Sequence, residues 1–341
     1  MSKGGIYMKC NAVFEGGGVR GIGHIGAANV MEKSGYTFQN VAGCSAGAIV
    51  ASLIAVGYST CEIKLIMENV DYLKFKEKNL LDYLGPVGKA INFYSSLGLY
   101  KTDYFEKWLS ELLKKKGKTV FGDIKSDDCL GGKCKYKLQV VASDITAKVA
   151  LVLPRDLEHF GIDPDSFPIV DAVRMSMSIP FFYRPYVLKT RNGVEHLIVD
   201  GGLLSNYPLY LLDDGCPNPP YPTFGFKFVE KPVNIQYDSV KFLTPDILNY
   251  IRLVTTTALD GHDNAYISKS GGDLERTIKI PVTVTTDGAQ KYINSTYFSI
   301  SKDESIQLFH NGETAAEKFL ETWNFNFWKK KYRGANAKCL E

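Results

Sequence analysis

The 341-residue chain has 45% hydrophobic and 23% charged residues, a composition that excludes a disordered, collagen-like or disulfide-scaffold protein. Its 40 Lys and Arg residues against 37 Asp and Glu residues leave a formal net charge of +3, which argues against a dedicated nucleic-acid-binding protein, since such proteins carry a strongly basic face. The seven cysteines form no Cys-x-x-Cys pair and no cluster with zinc-ligand spacing. We therefore predict free thiols, no metal site and a cytoplasmic location.

The first sixty residues alternate between short apolar segments and helix-forming segments. The pattern predicts strands over residues 10–15 and 38–43 and helices over residues 19–33 and 46–56. The second helix is apolar almost all round, which is typical of a buried helix. Because strands that alternate with helices indicate βαβ units, we predict an α/β fold with a mostly parallel sheet.

The rest of the chain continues this pattern with longer connections. Residues 60–118 are predicted to be mostly helical, and the Gly-rich, aromatic stretch 84–99 within them is predicted to form a mobile cap. The remaining predicted strands are 136–143, 149–153, 196–199, 224–229 and 277–285, and the remaining predicted helices are 245–268 and 302–327.

A glycine-rich run, referred to below as the glycine run, follows the first predicted strand and opens the first predicted helix. It consists of Gly16, Gly17, Gly18, Val19, Arg20 and Gly21. The backbone N–H groups of such a run point into one concavity at a helix N-terminus, which binds negative charge. A dinucleotide-binding fingerprint would need an acidic residue at the end of the next strand, but that strand ends at Cys44 without one. We therefore interpret the run as an anion-binding nest.

The sequence Gly43-Cys44-Ser45-Ala46-Gly47 lies between the second predicted strand and the second predicted helix. A GxSxG sequence in this setting is typical of a nucleophile elbow, where a strained turn projects the serine. The alternative is a glycine-rich turn whose serine only caps the helix. The nest upstream favours the elbow, because acyl transfer needs both a nucleophile and a site that stabilises the oxygen of the tetrahedral intermediate.

Serine needs a base to accept its proton, and none of the five histidines lies in a motif with a carboxylate. His24, on the first predicted helix, is interpreted as a packing residue or a support of the nest. Asp200 is the better candidate, because it ends a predicted strand and is followed by Gly201 and Gly202. Active sites of α/β sheets lie at the C-terminal edge of the parallel strands. An ordinary Asp-Gly turn is the alternative.

The motifs GGGVRG, GCSAG and DGG, in this order, resemble the patatin-like phospholipases of the bacterial type. Further segments at residues 98–109, 142–144, 172–182 and 200–208 are similar to the same family. The resemblance implies a three-layer α/β/α fold with a mostly parallel central sheet and a nucleophile-elbow serine. It also implies a catalytic domain over residues 10–230 and a C-terminal α/β elaboration, residues 231–341, packed on the same core.

The resemblance further implies a lipid acyl hydrolase of the phospholipase A or lysophospholipase type, a carboxylic ester hydrolase that works through a Ser-Asp dyad and an acyl-enzyme. Ser45 would attack the ester carbonyl, and Asp200 would accept its proton. The oxyanion hole would consist of the N–H groups of Gly17, Gly18, Val19 and Ala46. Arg20 would hold the glycine run or, less favoured, meet a phosphate head group. The substrate would be a phospholipid or another acyl-ester lipid, with no cofactor and no metal.

Three alternatives stay open at this stage. An α/β-hydrolase triad would use Ser45, Asp200 and either His262 or His310, although Ser45 comes early in the chain for that fold. An acyltransferase would use the same acyl-enzyme with an acceptor other than water. A catalytically inactive lipid-binding module would keep the fold without the chemistry, but all three motifs are intact.

Two lysine clusters are candidates for peripheral membrane contact, the first at residues 114–118 and the C-terminal one at residues 329–333. The C-terminal cluster follows four aromatic residues, Trp323, Phe325, Phe327 and Trp328. Aromatic rings beside lysines suit the interface of an anionic membrane. The same aromatics follow a helical spacing, however, which favours packing on the core with a solvated, lysine-rich helix end.

Overall fold

The computed structural model describes residues 8–76, 97–127, 135–213, 215–229, 272–286 and 288–334, together with positions 254 and 257. The helices are α1 (Gly21–Lys33), α2 (Ala46–Val56), α3 (Thr60–Glu68), α4 (Asp103–Lys115), α5 (Ile169–Ser176), α6 (Lys302–Thr322) and α7 (Phe325–Tyr332). The strands are β1 (Met8–Phe14), β2 (Tyr36–Cys44), β3 (Gly98–Tyr100), β4 (Leu138–Asp144), β5 (Val149–Leu153), β6 (Phe181–Tyr183), β7 (Tyr186–Lys189), β8 (Glu195–Asp200), β9 (Thr223–Val229), β10 (Thr277–Pro281), β11 (Thr283–Thr286) and β12 (Ala289–Tyr292).

A mixed, mostly parallel sheet forms the centre of the described chain. Its strands lie in the order β10-β9-β1-β2-β4-β8-β7, and β5 pairs with β4 outside this path. The five strands from β10 to β4 are parallel to one another, as the alternation of strands and helices predicts. The pairs β4–β5, β4–β8 and β7–β8 are antiparallel. The predicted α/β fold with a mostly parallel sheet is confirmed.

One edge of β4 brings two other strands together. β2 pairs with this edge as far as Cys44, which lies opposite Val141, and β8 takes over at the next residue, with Asp200 opposite Ala142. Because β2 is parallel and β8 antiparallel to β4, the C-terminal ends of β2 and β8 meet. Asp200 ends a strand, as predicted, but β8 runs antiparallel to β4 as the returning arm of a hairpin with β7 and does not belong to the parallel set.

Helices cover one face of the sheet. α1 packs between the sheet and α6, which is why almost all of its side chains are buried, and α2 is buried nearly all round, as its apolar sequence predicts. On the opposite face, in the described part of the chain, Tyr207, Leu209 and Leu212 pack on Val13 and Ala42 of the sheet. The sheet thus lies between two outer layers.

Two predicted elements are divided in the structure. The predicted strand 277–285 forms β10 and β11, because the chain leaves the sheet at Val282 and continues into a hairpin of β11 with β12. The predicted helix 302–327 forms α6 and α7. Asn324 separates them by accepting a hydrogen bond from the Phe327 N–H at 2.9 Å, which starts a new helix.

In the described part of the region 60–118, helices account for most of the residues, as predicted, but β3 also lies within it and pairs with β6. Of the predicted cap at residues 84–99, only 97–99 are described, and of the predicted helix 245–268, only positions 254 and 257. Within the described ranges, no helix combines the length and the apolar character that crossing a bilayer requires.

The first lysine cluster lies at the end of the sheet opposite to the C-terminal ends of β1 and β2. Lys116 sits over the ring of Tyr58, 4.3 Å from its centroid, and Tyr58 follows the C-terminal end of α2. α2 starts where β2 ends and is about 16 Å long. The cluster therefore lies near the C-terminal end of α2, and Ser45 lies at the other end of that helix.

The aromatic residues before the C-terminal lysine cluster pack mainly inward, at that same opposite end. Trp323 packs edge-on against Phe224, the second residue of β9, with ring centroids 5.1 Å apart, and Trp328 is buried beside Trp323. Phe327 is the exception, with 66% of its surface exposed. Packing on the core is thus the interpretation that these contacts favour.

Candidate active site

Ser45 lies between β2 and α2 in a backbone conformation that residues other than glycine rarely adopt, with φ +50° and ψ −121°. Such a conformation costs about 1–3 kcal/mol and persists only where the surroundings enforce it. The Ser45 N–H donates to Ser176 Oγ at 2.8 Å, and the Ser176 hydroxyl donates to the Val141 carbonyl at 2.5 Å. These bonds tie the turn to β4 and fix Ser45 at the end of β2.

The glycines on both sides of Ser45 allow this turn to be tight. A Cβ at Gly47 would lie 2.2 Å from the carbonyl oxygen of Phe14, and a Cβ at Gly43 would lie 2.4 Å from the carbonyl oxygen of Gly47. α2 therefore starts in contact with the end of β1. Its first N–H groups, including that of Ala46, have no acceptor within the helix and lie next to Ser45.

Asp200 lies next to this turn and is only 2% exposed. Its Oδ1 accepts hydrogen bonds from the Gly202 N–H at 2.8 Å and from the Cys44 thiol at 3.7 Å. Burial raises the pKa of Asp200 to about 6, while these two hydrogen bonds and the nearby Ser45 side chain act to lower it. The structure thus brings Ser45 and Asp200 together, with Gly201 and Gly202 forming the turn that follows β8.

The glycine run passes directly against Ser45. A Cβ at Gly16 would lie 3.3 Å from the Cβ of Ser45, and the Gly16 N–H donates to the Asn206 carbonyl at 3.1 Å. Gly18 has a φ of +55°, in the left-handed region that glycine adopts readily. Within the described chain, the N–H groups of Gly17 and Gly18 have no hydrogen-bond acceptor. Both groups are available to an anion beside Ser45.

Val19 differs from the other predicted oxyanion-hole residues. Its N–H donates to the Ser295 carbonyl at 3.1 Å, so it is already paired and is not free to stabilise an oxyanion. The same carbonyl oxygen would lie 1.9 Å from a Cβ at Gly18, so that any side chain there would collide with it. Ser295 lies between β12 and α6, and no pattern in the sequence marks it.

Arg20 supports the glycine run from within the protein. Its Nε donates to the Gly17 carbonyl at 3.1 Å, and its Nη1 donates to the Tyr292 hydroxyl at 3.0 Å. The guanidinium lies 5.2 Å from the ring centroid of Phe228, and the side chain is only 4% exposed. These contacts orient the backbone of the run, and they leave the guanidinium away from solvent.

His24 also supports the run and is fully buried. Its Nε2 donates to the Glu15 carbonyl at 2.8 Å, and its ring stacks on Phe228 with centroids 4.1 Å apart. Burial lowers the pKa of His24 to about 3, so the ring is neutral at physiological pH. It packs against the end of β1.

The triad with His310 is not formed. His310 is exposed on α6 and pairs with Glu313 at 2.8 Å. Among the described residues, no histidine hydrogen-bonds to Ser45 or Asp200, and His262 lies outside them. In the same part of the chain, no group of three or more His, Cys, Asp or Glu side chains has an arrangement that could hold a metal ion.

An apolar cavity, referred to below as the acyl cavity, adjoins Ser45 and the glycine run. Apolar side chains from several elements form most of its lining, among them Ile49, Val50, Phe105, Trp108, Ile179 and Phe298. A cavity of this character accommodates an apolar chain rather than a charged group.

The comparisons with known proteins agree with this geometry. The family model described as patatin-like phospholipase matches residues 12–213. The chain is also 35% identical over 318 residues to YqhO of Bacillus subtilis (strain 168), a match that covers 93% of this chain and 100% of that protein. The chain belongs to the patatin-like phospholipase family, a family of lipid acyl hydrolases.

Two more distant similarities extend the comparison. The probable lipid hydrolase 463L of Invertebrate iridescent virus 6 is 26% identical over 197 residues, which cover 58% of this chain and 61% of that protein. The crystal structure of VipD from Legionella pneumophila is similar with a TM-score of 0.50 at 15% identity, covering 93% of this chain and 67% of VipD. At that identity, the likeness to VipD supports the fold alone.

Proposed function

We propose that the chain hydrolyses fatty-acyl esters of lipids through a Ser45–Asp200 dyad and an acyl-enzyme. The observation that carries the proposal is the meeting of β2 and β8 on β4, which puts a buried carboxylate next to a serine in a strained turn. The unpaired N–H groups of Gly17 and Gly18 and the N-terminus of α2 lie beside the same serine.

The reaction proceeds in two halves. The Ser45 hydroxyl attacks the ester carbonyl carbon while Asp200 accepts its proton, and the N–H groups of Gly17, Gly18 and Ala46 stabilise the negative oxygen of the tetrahedral intermediate. When the intermediate collapses, the alcohol leaves with the proton from Asp200. Water then attacks the acyl-enzyme, Asp200 accepts the water's proton, and Ser45 recovers a proton as the fatty acid leaves.

The substrate class follows from the acyl cavity and the family. We assign the activity to carboxylic ester hydrolysis of the phospholipase A or lysophospholipase type, with the acyl chain in the apolar cavity. We also propose that residues 10–230 form the catalytic unit and that the chain after residue 230 completes it. Two contacts support the proposal that the later part completes the catalytic unit. The carbonyl of Ser295 accepts a hydrogen bond from the Val19 N–H, and β10 pairs with β9 in the central sheet.

Product analysis on phospholipids with a different label on each acyl chain tests the activity directly. We expect release of labelled free fatty acid, with the matching lysophospholipid as the first co-product, which a lysophospholipase activity hydrolyses further. Transfer of the acyl group to an added alcohol in preference to water would identify an acyltransferase instead. Absence of both products, with no label retained on the protein, would contradict the proposal.

The pH dependence of kcat/KM is expected to report the ionisation of Asp200. Asp200 must be deprotonated to accept the Ser45 proton, and burial raises its pKa to about 6. Activity on a water-soluble ester should therefore rise from acid pH and level off above an apparent pKa of about 6. A rate profile that stays flat between about pH 5 and 8, on enzyme shown to be folded throughout, would contradict this assignment.

We further propose that the enzyme contacts membranes through exposed apolar residues near the acyl cavity. Leu73, Leu97 and Phe181 are 56%, 50% and 42% exposed. Leu73 belongs to the turn Tyr72–Phe75, whose Tyr72 and Phe75 line the cavity. Phe181 pairs with the residue after Leu97 and follows the cavity residue Ile179 by two positions. We call these three residues the apolar rim. They are better placed than the lysine clusters, which lie at the opposite end of the sheet, to contact a membrane next to the acyl cavity.

Replacing the apolar rim with serine (Leu73→Ser, Leu97→Ser and Phe181→Ser together) is expected to weaken binding to phosphatidylglycerol vesicles at least about tenfold, because three apolar side chains no longer insert. Activity on a water-soluble ester should persist. The matched control replaces Lys329, Lys330 and Lys331 with alanine and should bind vesicles nearly as well as the wild type. Co-sedimentation with vesicles measures the binding of both triple variants. Stronger binding by the rim variant than by the lysine variant would contradict the proposed membrane contact through the apolar rim.

A further inference from the structure

A second cavity shares a wall with the acyl cavity. It lies between α3 and the start of α6, and we call it the distal cavity. Met67 and Tyr72 belong to the linings of both cavities. Their side chains therefore stand between the cavity at Ser45 and the distal cavity.

The lining of the distal cavity is partly apolar and partly polar. Its apolar residues include Ile22, Ile300, Ile306 and Phe309, and its polar residues include Lys64, whose ammonium nitrogen lies over the ring of Phe309, 4.3 Å from the ring centroid. The face of an aromatic ring attracts such a cation. The apolar part of this lining suits the far end of an apolar chain.

Packing alone holds the shared wall in place. Met67 is 7% exposed on α3, and its unbranched side chain adapts readily to neighbouring shapes. The ring of Tyr72 packs edge-on against Phe75 with centroids 6.0 Å apart. The Tyr72 hydroxyl is buried without a hydrogen-bond partner, and burial raises its pKa. No hydrogen bond from this hydroxyl therefore anchors the ring, which is held by its packing.

We propose that Met67 and Tyr72 set the acyl-chain length that the enzyme accepts, an inference that rests on the proposed ester hydrolysis at Ser45. The two side chains close the acyl cavity on the side of the distal cavity. Removing the Tyr72 ring joins the two cavities, so that a longer chain extends past the wall and buries its last methylenes in the distal cavity. Enlarging Met67 moves the wall towards Ser45 and excludes longer chains.

The test is the dependence of kcat/KM on acyl length, measured in mixed micelles with p-nitrophenyl esters from butanoyl to stearoyl. Tyr72→Ala is expected to move the optimum to longer chains, with kcat/KM gaining up to about fourfold for each methylene newly accommodated. Met67→Trp is expected to move the optimum to shorter chains. Tyr72→Phe, which keeps the ring, should keep the wild-type optimum. Leu65→Ala is the matched control on α3, since Leu65 is 61% exposed and lies outside both linings.

Each outcome decides the proposal. Opposite shifts of the optimal acyl length in Tyr72→Ala and Met67→Trp support the proposal that these residues set the chain length. An unchanged optimum in both variants contradicts it. A shift in Tyr72→Phe as large as that in Tyr72→Ala would also overturn it, because the hydroxyl rather than the ring would then set the length. If Tyr72→Ala fails to melt cooperatively, Met67→Ala replaces it, with the same expected direction. Failure of the proposed function is distinguishable, because Ser45→Ala would then retain hydrolysis at every chain length.

Discussion

Replacing Ser45 with alanine is expected to lower kcat for ester hydrolysis by roughly 10⁵-fold. The substitution removes the oxygen that forms the acyl-enzyme, and loss of a nucleophile in comparable serine hydrolases removes nearly all catalysis except that from the oxyanion hole and substrate binding. The backbone at residue 45 keeps its contact with Ser176 through the N–H. The fold should therefore persist, and steady-state hydrolysis of a short-chain ester measures the loss.

Ser52→Ala is the matched control for this prediction. Ser52 lies on α2, the helix that starts directly after Ser45. Its side chain is buried, and its hydroxyl donates a hydrogen bond to the Ile49 carbonyl at 2.8 Å. The control loses a buried serine hydroxyl without touching the dyad and should hydrolyse the ester at close to the wild-type rate. A Ser45→Ala enzyme within about tenfold of the wild-type kcat would rule out Ser45 as the nucleophile.

Replacing Asp200 with asparagine is expected to lower kcat by about 10³-fold to 10⁴-fold. Asparagine keeps the shape and still accepts the Gly202 N–H, but it does not take up a proton from Ser45 or from water, and general-base catalysis contributes effects of this size. The dependence of activity on an apparent pKa of about 6 should disappear along with the rate. A variant that retains more than a tenth of the wild-type kcat would contradict the role of Asp200 as base.

The same substitution should make the protein more stable at neutral pH. Burial raises the pKa of Asp200 from 3.8 to about 6, so ionising this group costs the folded state roughly 3 kcal/mol above pH 6. Asparagine removes that penalty. Thermal melting should therefore show a higher Tm for Asp200→Asn at pH 8 and a difference that shrinks as the pH falls below 6. The difference should vanish below the unfolded-state pKa of 3.8, where both states protonate the carboxyl.

Asp144→Asn provides the matched control for Asp200. Asp144 is also fully buried at the end of a strand, where it accepts the N–H groups of Thr146 and Ala147 at 2.9 Å and pairs with His196 at 2.7 Å. Its replacement should lower Tm and leave kcat close to that of the wild type. Equal losses of kcat in the two variants would mean that damage to the fold, and not the missing base, explains the effect.

The Ser45 turn could be predicted from sequence because its determinants are consecutive. Gly43 and Gly47 are needed within a few residues of Ser45 so that α2 can start against β1, and strand and helix patterns flank them closely. The residues of the glycine run are also consecutive in the sequence, so this feature could be predicted in the same way. Asp200 could be selected because a strand pattern leads into an acid followed by two glycines.

The remaining features depend on residues that only the folded chain brings together. The direction of β8 follows from its hairpin with β7, a strand too short to leave a clear pattern. The pairing of Val19 depends on Ser295, and the anchoring of Arg20 on Tyr292, both far along the chain. The lysine clusters lie at one end of the sheet because of where α4 and α7 pack. The sequences of these two helices do not by themselves reveal that packing.

Mapping the residue that reacts with a serine-directed reagent tests the central claim most directly. The wild-type enzyme would be incubated with a long-chain p-nitrophenyl phosphonate at pH 8, digested, and its peptides analysed by mass spectrometry. We expect a single adduct on Ser45, formed in step with the loss of esterase activity, and no adduct in Ser45→Ala. An adduct on another residue, or complete inactivation with Ser45 unmodified, would contradict the dyad.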